Sequence, residues 1–245
     1  LVLVDTGLGL RDVADPQSRL SRFFLTLLRP EFREQMTAVR QVERLGFDPA
    51  DVRHILLSHL EFDHAGGLDD FPNATVHMLA SEREHAVRQR SWLDRQRFRP
   101  QQWSTQPSWR TYGTEGGSRW NGFEGVRTPD GLPPEILMVP LPGHTHGHAG
   151  IAVYTSGRWK FLAADAYFHA GEMASTPVCP PGLRFYQWMM ELDRDARLHN
   201  QDRLRALARG SRDVDIFCSH DIAEFEQLSG RSAGIPAEGF ATPRL

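Results

Sequence analysis

Four side chains that can bind a metal ion lie within six residues of one another, directly after an apolar stretch. They are His59, Glu61, Asp63 and His64. The apolar residues 55–57 predict a buried strand, and the glycines at 66 and 67 allow the backbone to turn after it. Because charged residues and histidine seldom cluster so tightly behind a buried strand, the stretch favours a metal site over an exposed charged loop.

The spacing of these four residues indicates two ions. His59 and Glu61 are two apart, so on an extended backbone their side chains point the same way and can bind one ion. Asp63 and His64 are adjacent, so their side chains diverge and can reach a second ion nearby. The motif by itself therefore predicts a dinuclear metal site at the end of a strand.

The motif and the residues after it resemble the metallo-β-lactamase superfamily, whose signature is His-x-His-x-Asp-His followed by a distant His, an Asp and a final His. By this resemblance the later positions are His144 in a Pro-Gly-His-Thr turn, Asp165 after an apolar run, and His220 after the last apolar run. Order and surroundings match over nearly the whole chain.

The resemblance implies an α+β fold, a four-layer αβ/βα sandwich, that carries a dinuclear hydrolase centre. A hydroxide that bridges the two metals would attack an ester or lactone carbonyl. The surroundings of the motif are most similar to lactonases, which makes an acyl-homoserine lactone the expected substrate. The implied ligands are His59, Glu61 and His144 for one ion, Asp63, His64 and His220 for the other, and Asp165 between the two.

Three residues outside the usual ligand set have roles implied by the resemblance. Asp63 is expected to orient the hydroxide in addition to binding metal. Tyr167 is expected to donate a hydrogen bond to the substrate carbonyl, although its offset from Asp165 differs from that in acyl-homoserine lactonases and a packing role stays open. Asp5, after the first apolar run, is expected either to support the site from outside the ligands or to hydrogen-bond its own turn.

Two more histidines share a turn with His144. His146 is a rival for the ligand position, but the Pro-Gly-His-Thr setting favours His144. We expect His148 to orient His144 through a hydrogen bond, as residues behind metal ligands commonly do.

Glu61 departs from the family pattern, because most members have a second His at this position. A carboxylate adds a negative charge and a hard oxygen donor, which shifts the metal preference somewhat from zinc towards manganese or iron. We therefore expect two divalent ions, with zinc as the first choice. A more electron-rich metal acidifies its water less, so Glu61 also predicts a more alkaline activity optimum.

Two other functions stay open on the sequence. The His-x-Glu-x-Asp-His pattern also occurs in flavodiiron proteins, which reduce oxygen or nitric oxide and need an electron donor. The chain ends soon after His220, so we expect no flavin-binding domain in cis. A binding protein that has lost its metal is the other alternative, and seven intact ligand candidates argue against it.

Length and composition favour one domain over residues 1–245, with 40% hydrophobic residues for its core. The net charge of −3 gives no basic field for nucleic acid or a membrane surface, so the expected partner is a small-molecule substrate. Two distant cysteines favour a reducing compartment, with cytoplasm as the default. Because Leu1 opens directly on a strand-like run, we expect that a segment which precedes it in the protein is missing from this sequence. A signal peptide could be missing with it. The oligomeric state stays open.

Two stretches are expected to shape the surroundings of the site. Residues 16–45 have apolar residues at helical spacing and predict two amphipathic helices, or one broken at Pro30. Residues 88–128 lose periodicity and are rich in arginine and tryptophan. We interpret them as an insertion near the active site whose arginines bind an anion, or as a solvated loop whose tryptophans pack on the domain.

Overall fold

The computed structural model describes residues 1–106 and 108–232, so Pro107 and the last 13 residues of the predicted domain lie outside the described residues. The strands are β1 Val2–Val4, β2 His54–Leu56, β3 Thr75–Leu79, β4 Trp109–Tyr112, β5 Ser118–Trp120, β6 Phe123–Val126, β7 Ile136–Pro140, β8 Ala149–Thr155, β9 Arg158–Ala164 and β10 Val214–Cys218.

Helices connect these strands on the outside of the molecule. The α-helices are α1 Leu10–Ala14, α2 Pro16–Arg19, α3 Arg22–Leu28, α4 Ala38–Arg44, α5 Phe62–Ala65, α6 Ala80–Arg88, α7 Trp92–Arg97, α8 Pro181–Met190, α9 Arg194–Gly210 and α10 Ile222–Ser229. Short 3-10 helices span Glu34–Met36, Pro49–Asp51, Gly66–Asp70, Pro100–Gln102 and Ala170–Met173. No helix of the described residues is long and apolar enough to cross a lipid bilayer.

Two four-stranded sheets form the centre of the fold. In the first, β1, β2, β3 and β4 are neighbours in that order and all pairs are parallel. In the second, the order is β10, β9, β8, β7; β10 is parallel to β9, and the other two pairs are antiparallel. Strands β7, β9 and β10 therefore run in the same direction and end at the same edge of their sheet.

Alternation along the strands produces four layers. In the first sheet, Ile55 packs with Val39 and Val42 of α4, whereas the next residue, Leu56, packs with Met138 and Ile151 of the second sheet. Successive side chains of a strand face opposite sides, so one sheet contributes to two cores. On the far side of the second sheet, Phe161 packs with Leu204 of α9. The arrangement is helix, sheet, sheet, helix, which confirms the predicted αβ/βα sandwich.

The two stretches expected to surround the site both contain regular secondary structure. The stretch 16–45 forms two separate main helices, α3 and α4; the residue after α3, Arg29, has the left-handed conformation and directly precedes Pro30. The stretch 88–128 is not structureless: within its described residues α7 precedes β4, which extends the first sheet, and β5 pairs with β6. Trp103 and Trp109 pack against the core of the first sheet, as the packing alternative predicted.

Candidate metal centre

All seven predicted ligands follow the carboxyl end of a strand. His59, Glu61, Asp63 and His64 come after β2, with the last two on α5. His144 follows β7, Asp165 follows β9 and His220 follows β10. Since those three strands end at one edge of their sheet, the loops that carry the ligands converge there.

The ligand atoms form three overlapping groups, each with its atoms within 4.8 Å of one another. One group is His59, Glu61 and His144, the second is His59, His64 and Asp165, and the third is Asp63, His64 and His220. Asp165 connects the two sides of the cluster, because its Oδ1 lies 3.3 Å from Nε2 of His64 and its Oδ2 lies 3.5 Å from Nε2 of His144. Oδ2 also lies 3.3 Å from Nε2 of His220. The geometry thus brings together every residue that the sequence assigned as a ligand.

Hydrogen bonds behind His59 determine which of its nitrogens faces the cluster with a lone pair. Ser58 Oγ lies 2.7 Å from Asp5 Oδ2 and 2.9 Å from His59 Nδ1. A hydroxyl has one proton, and Ser58 donates it to the carboxylate, so Nδ1 of His59 must donate to Ser58. Nε2 of His59 therefore carries a lone pair, and it is buried without a hydrogen-bond partner among the described residues.

His64 is arranged in the same way. Its Nδ1 lies 2.9 Å from Asp5 Oδ2, to which it donates. In the part of the chain that the structure describes, neither Nε2 of His64 nor Oδ1 of Asp165 has a hydrogen-bond partner, and both atoms are buried. When His64 is neutral, two imidazole lone pairs and a carboxylate oxygen face one another, and a cation is what satisfies such a set of acceptors. The donor set therefore fits a divalent metal ion.

The charges of the cluster influence the protonation of its members. Burial, followed by the neighbouring His64, lowers the pKa of His59 well below its usual range, which keeps Nε2 available. Burial opposes ionisation of Asp165, but His220 and His64 outweigh it and hold the pKa of Asp165 well below its usual range. For His64, burial lowers the pKa, but the charges of Asp165 and Asp63 outweigh it and raise the pKa well above its usual range. A proton and a metal ion thus compete for Nε2 of His64.

Gly143 and Glu82 fix the loop that carries His144. Gly143 has φ +142°, and a Cβ there would meet the backbone nitrogen of Arg197 at 2.4 Å, so only glycine allows the loop to lie against α9. Glu82 is buried and accepts hydrogen bonds from the backbone of Leu60 at 3.0 Å and from the Thr145 hydroxyl at 2.6 Å. Glu82 therefore joins the two ligand loops to each other.

The supporting residues differ in part from the sequence expectations. Asp5 supports the site, since its carboxylate hydrogen-bonds to Ser58 and His64. His148 does not orient His144: its Nδ1 donates to Leu141 O at 3.0 Å and its Nε2 accepts the backbone N–H of Asp165 at 3.0 Å. The prediction for His148 was therefore wrong in its target, because the imidazole anchors the loop of Asp165 instead.

Tyr167 lies away from the ligand cluster. It is fully buried in the core of the second sheet, and its hydroxyl lies 2.8 Å from Glu224 Oε1. The prediction that Tyr167 donates to the substrate carbonyl is therefore wrong, because its hydroxyl already donates to Glu224. The packing alternative describes its surroundings.

Another tyrosine lies beside the cluster and was missed by sequence reasoning. Tyr186 of α8 is half-buried, and its ring packs on Phe168, with centroids 5.8 Å apart. Phe168 in turn contacts the rings of His144 and His220. Burial raises the pKa of Tyr186 strongly, and the charges of Asp63, Glu61 and Asp165 raise it further. Tyr186 is therefore a protonated donor near the carboxylates of the cluster.

Arg97, at the end of α7, was also missed. Its guanidinium is fully buried and donates to Oε1 of Glu61 through Nε at 2.9 Å and also through Nη2. Burial alone would raise the pKa of Glu61, but the charges of Arg97 and His144 outweigh it and lower the pKa to about 2. Glu61 is therefore ionised.

Comparisons of this chain with known proteins agree on one protein family. The profile described as "Metallo-beta-lactamase superfamily" matches residues 1–220. A probable metallo-hydrolase of Mycobacterium tuberculosis is 39% identical over 222 residues, which cover 90% of this chain and 71% of that protein. The N-acyl homoserine lactonase AttM of Rhizobium radiobacter is 29% identical over 157 residues, 62% of this chain and 54% of the lactonase.

A solved structure has the same fold at low sequence identity. It is that of an N-acyl homoserine lactone hydrolase with the product N-hexanoyl-L-homoserine bound at its catalytic metal centre. Its TM-score is 0.68 at 22% identity, with 95% of this chain and 80% of that chain covered.

Proposed function

The chain belongs to the metallo-β-lactamase superfamily and is a metal-dependent hydrolase, and on that premise we propose that it binds two divalent ions, zinc first, and opens an ester or lactone bond. The expected substrate is an acyl-homoserine lactone. The observation that carries the proposal is the convergence of buried polar atoms of His59, His64 and Asp165, for which the described residues provide no hydrogen-bond partner. His59, Glu61 and His144 would hold one ion, Asp63, His64 and His220 the other, and Asp165 would contact both.

The space beside the cluster supports a substrate with an apolar part. A cavity of about 560 Å³ is lined by Asp63, His64 and His220 on one side. Its other walls include Leu162, Phe217, Phe225 and Leu228. Apolar walls next to a polar reacting centre suit an acyl chain attached to a carbonyl, because the chain leaves water while the carbonyl stays at the ligands.

When bound, the metal ions supply a polarised carbonyl and an acidified water. The protein contributes the remaining steps. Asp63 has the most exposed carboxylate among the expected ligands, with its side chain 26% exposed, so an entering water reaches it and it accepts the proton of that water. Asp5 and Ser58 keep the imidazoles of His64 and His59 fixed while this happens.

Tyr186 takes the role that the sequence assigned to Tyr167. Its hydroxyl is held protonated beside Asp63, Glu61 and Asp165, and among the described residues no group hydrogen-bonds to it. A hydroxyl in this position donates to the carbonyl oxygen of the substrate as negative charge develops there. The packing of Tyr186 on Phe168 fixes the ring for that contact.

A substrate comparison tests the proposal. The zinc-loaded protein would be assayed with acyl-homoserine lactones of increasing chain length, a simple aryl ester, a β-lactam and an aryl phosphodiester. We expect the lactones to have the highest kcat/KM, rising with chain length because of the apolar cavity. His64→Ala should abolish turnover, whereas His199→Ala, an exposed control, should not. A phosphodiester as the only substrate would contradict the proposal.

The alternatives have separate signatures. A diiron redox protein would be coloured as purified with iron and would consume oxygen when given a reductant. A binding protein would hold lactone without turnover.

The predicted cytoplasmic location is supported by Cys179 and Cys218, which are both free thiols.

A further inference from the structure

The guanidinium of Arg97 lies inside the first ligand group. Nη1 donates to Met190 O at 2.6 Å, Nε donates to Glu61 Oε1 at 2.9 Å, and Nη2 lies 3.2 Å from His144 Nε2. The side chain is fully buried, and a buried guanidinium is stable only when it is paired and hydrogen-bonded. Arg97 is therefore a fixed positive charge in direct contact with two of the expected metal ligands.

Arg97 cancels the negative charge that Glu61 adds to the ligand set. With His at position 61, as in most of the family, the ligand set would carry the two negative charges of Asp63 and Asp165. Glu61 adds a third negative charge, and Arg97 adds one positive charge. The cluster of this chain therefore has the same formal charge as the usual ligand set, although its composition differs.

The contact with Arg97 also fixes the orientation of the Glu61 carboxylate. Arg97 engages only Oε1 of Glu61, and among the described residues no donor hydrogen-bonds to Oε2. Two donors on one oxygen restrict rotation of the carboxylate and leave the other oxygen free. Nε2 of His144 also lies 2.7 Å from Oε1 of Glu61, so in the metal-free protein the imidazole N–H donates to the carboxylate. A metal ion at Nε2 of His144 would replace that proton, while Arg97 would keep its contact with Oε1 of Glu61.

We propose that Glu61 and Arg97 act as a unit, with Arg97 as a positioning residue that makes a carboxylate acceptable where the family has an imidazole. This inference rests on the metal centre of the proposed function but not on its substrate. The pair stands in for one neutral ligand: the carboxylate binds the ion, and the guanidinium cancels its charge and sets its direction. Neither residue can be exchanged alone without leaving an unbalanced buried charge.

The test compares zinc content and melting temperature in the wild type, Glu61→His, Arg97→Met and the double variant. Glu61→His restores the usual family residue, yet we expect it to lower zinc from about two ions per chain to about one, because Arg97 then lies beside a dication without its anion. The double variant should return to about two ions. Arg95→Met, an exposed arginine on the same helix, is the control and should bind zinc like the wild type.

Two results would overturn the proposal that Glu61 and Arg97 act as a unit. If Glu61→His alone binds as much zinc as the wild type, or if removal of Arg97 does not rescue it, the pair is not a unit. If Glu61→His does not fold, the near-isosteric Glu61→Gln takes its place, with the same expected loss and the same rescue by Arg97→Met. Zinc content is independent of lactone turnover, so a wild type that binds zinc but opens no lactone would refute the proposed substrate and leave this inference standing.

Discussion

The carboxylate of Asp5 joins the imidazole of His64 at 2.9 Å and the hydroxyl of Ser58 at 2.7 Å, across more than fifty residues of sequence. Through Ser58 it also determines the tautomer of His59. One carboxylate at the end of β1 therefore determines which nitrogens of His59 and His64 face the cluster.

Removal of this carboxylate should weaken metal binding without removing a ligand. In Asp5→Ala, Nδ1 of His64 loses its acceptor and the ring loses its fixed orientation, so we expect zinc affinity to fall about 10- to 100-fold. Competition with a chromophoric chelator measures this change. Asp51→Ala, an exposed aspartate, is the matched control and should leave the affinity unchanged. An Asp5 variant with wild-type zinc affinity would show that Asp5 serves its own turn only.

Zinc affinity should depend on pH through His64. Because the charges around it raise its pKa well above the usual range, His64 is protonated in the metal-free protein at neutral pH, and a metal ion must displace that proton. Release of one proton makes the apparent Kd fall by up to about tenfold for each unit of rising pH, until the pKa of His64 is passed. Chelator competition between pH 6 and 8 measures the slope. A flat profile would mean that Nε2 of His64 does not bind the ion.

In the metal-free protein, rising pH has the opposite effect: it lowers the stability that His64 contributes to the fold. A pKa raised by folding stabilises the folded state fully below the unfolded pKa of about 6.5, and this contribution is lost as pH rises through the folded pKa. Melting of the chelator-treated protein at the same pH values should therefore show lower stability at higher pH from this group.

The two tyrosines should separate catalysis from packing. Tyr186→Phe removes the proposed donor to the substrate carbonyl, so we expect kcat to fall about 10²-fold with zinc content unchanged. Tyr167→Phe should leave kcat near the wild-type value and lower the free energy of unfolding by about 1 kcal/mol, because Glu224 loses a buried donor. Steady-state kinetics and urea unfolding distinguish the two. The reverse assignment of effects would return the catalytic role to Tyr167.

Glu82 should contribute to stability through the two ligand loops. In Glu82→Ala the backbone N–H of Leu60 and the hydroxyl of Thr145 lose their acceptor in a buried place, which costs about 1–3 kcal/mol for an unsatisfied group. Glu84→Ala on the exposed face of the same helix should change the free energy of unfolding by less than about 0.5 kcal/mol. Equal effects of the two substitutions in urea unfolding would contradict a bridging role for Glu82.

The sequence was sufficient to predict that the seven candidate ligands converge, because their spacing has a direct structural meaning. Each of them follows an apolar run, and the ends of strands meet at one edge of a sheet whatever the intervening loops do. The αβ/βα arrangement followed from the resemblance, and the alternating cores of Ile55 and Leu56 confirm it.

Residues that act through long-range contacts were not predictable in the same way. Arg97 is one of many arginines in a stretch without periodicity, and its partner Glu61 is 36 residues away. The direction of Tyr167 depends on the turn after β9, where Ala164 has a φ of +46° that no sequence pattern announces. The alkaline optimum predicted from Glu61 alone omitted the charge of Arg97, and with that charge included the shift is no longer expected.

The central claim is that this chain binds two metal ions through the seven converging ligands. Metal content of the purified, zinc-loaded wild-type protein, measured by plasma mass spectrometry after removal of free ions, tests it most directly. We predict about two zinc ions per chain. Less than about one ion per chain would contradict the dinuclear centre, and with it the mechanism proposed for ester or lactone cleavage.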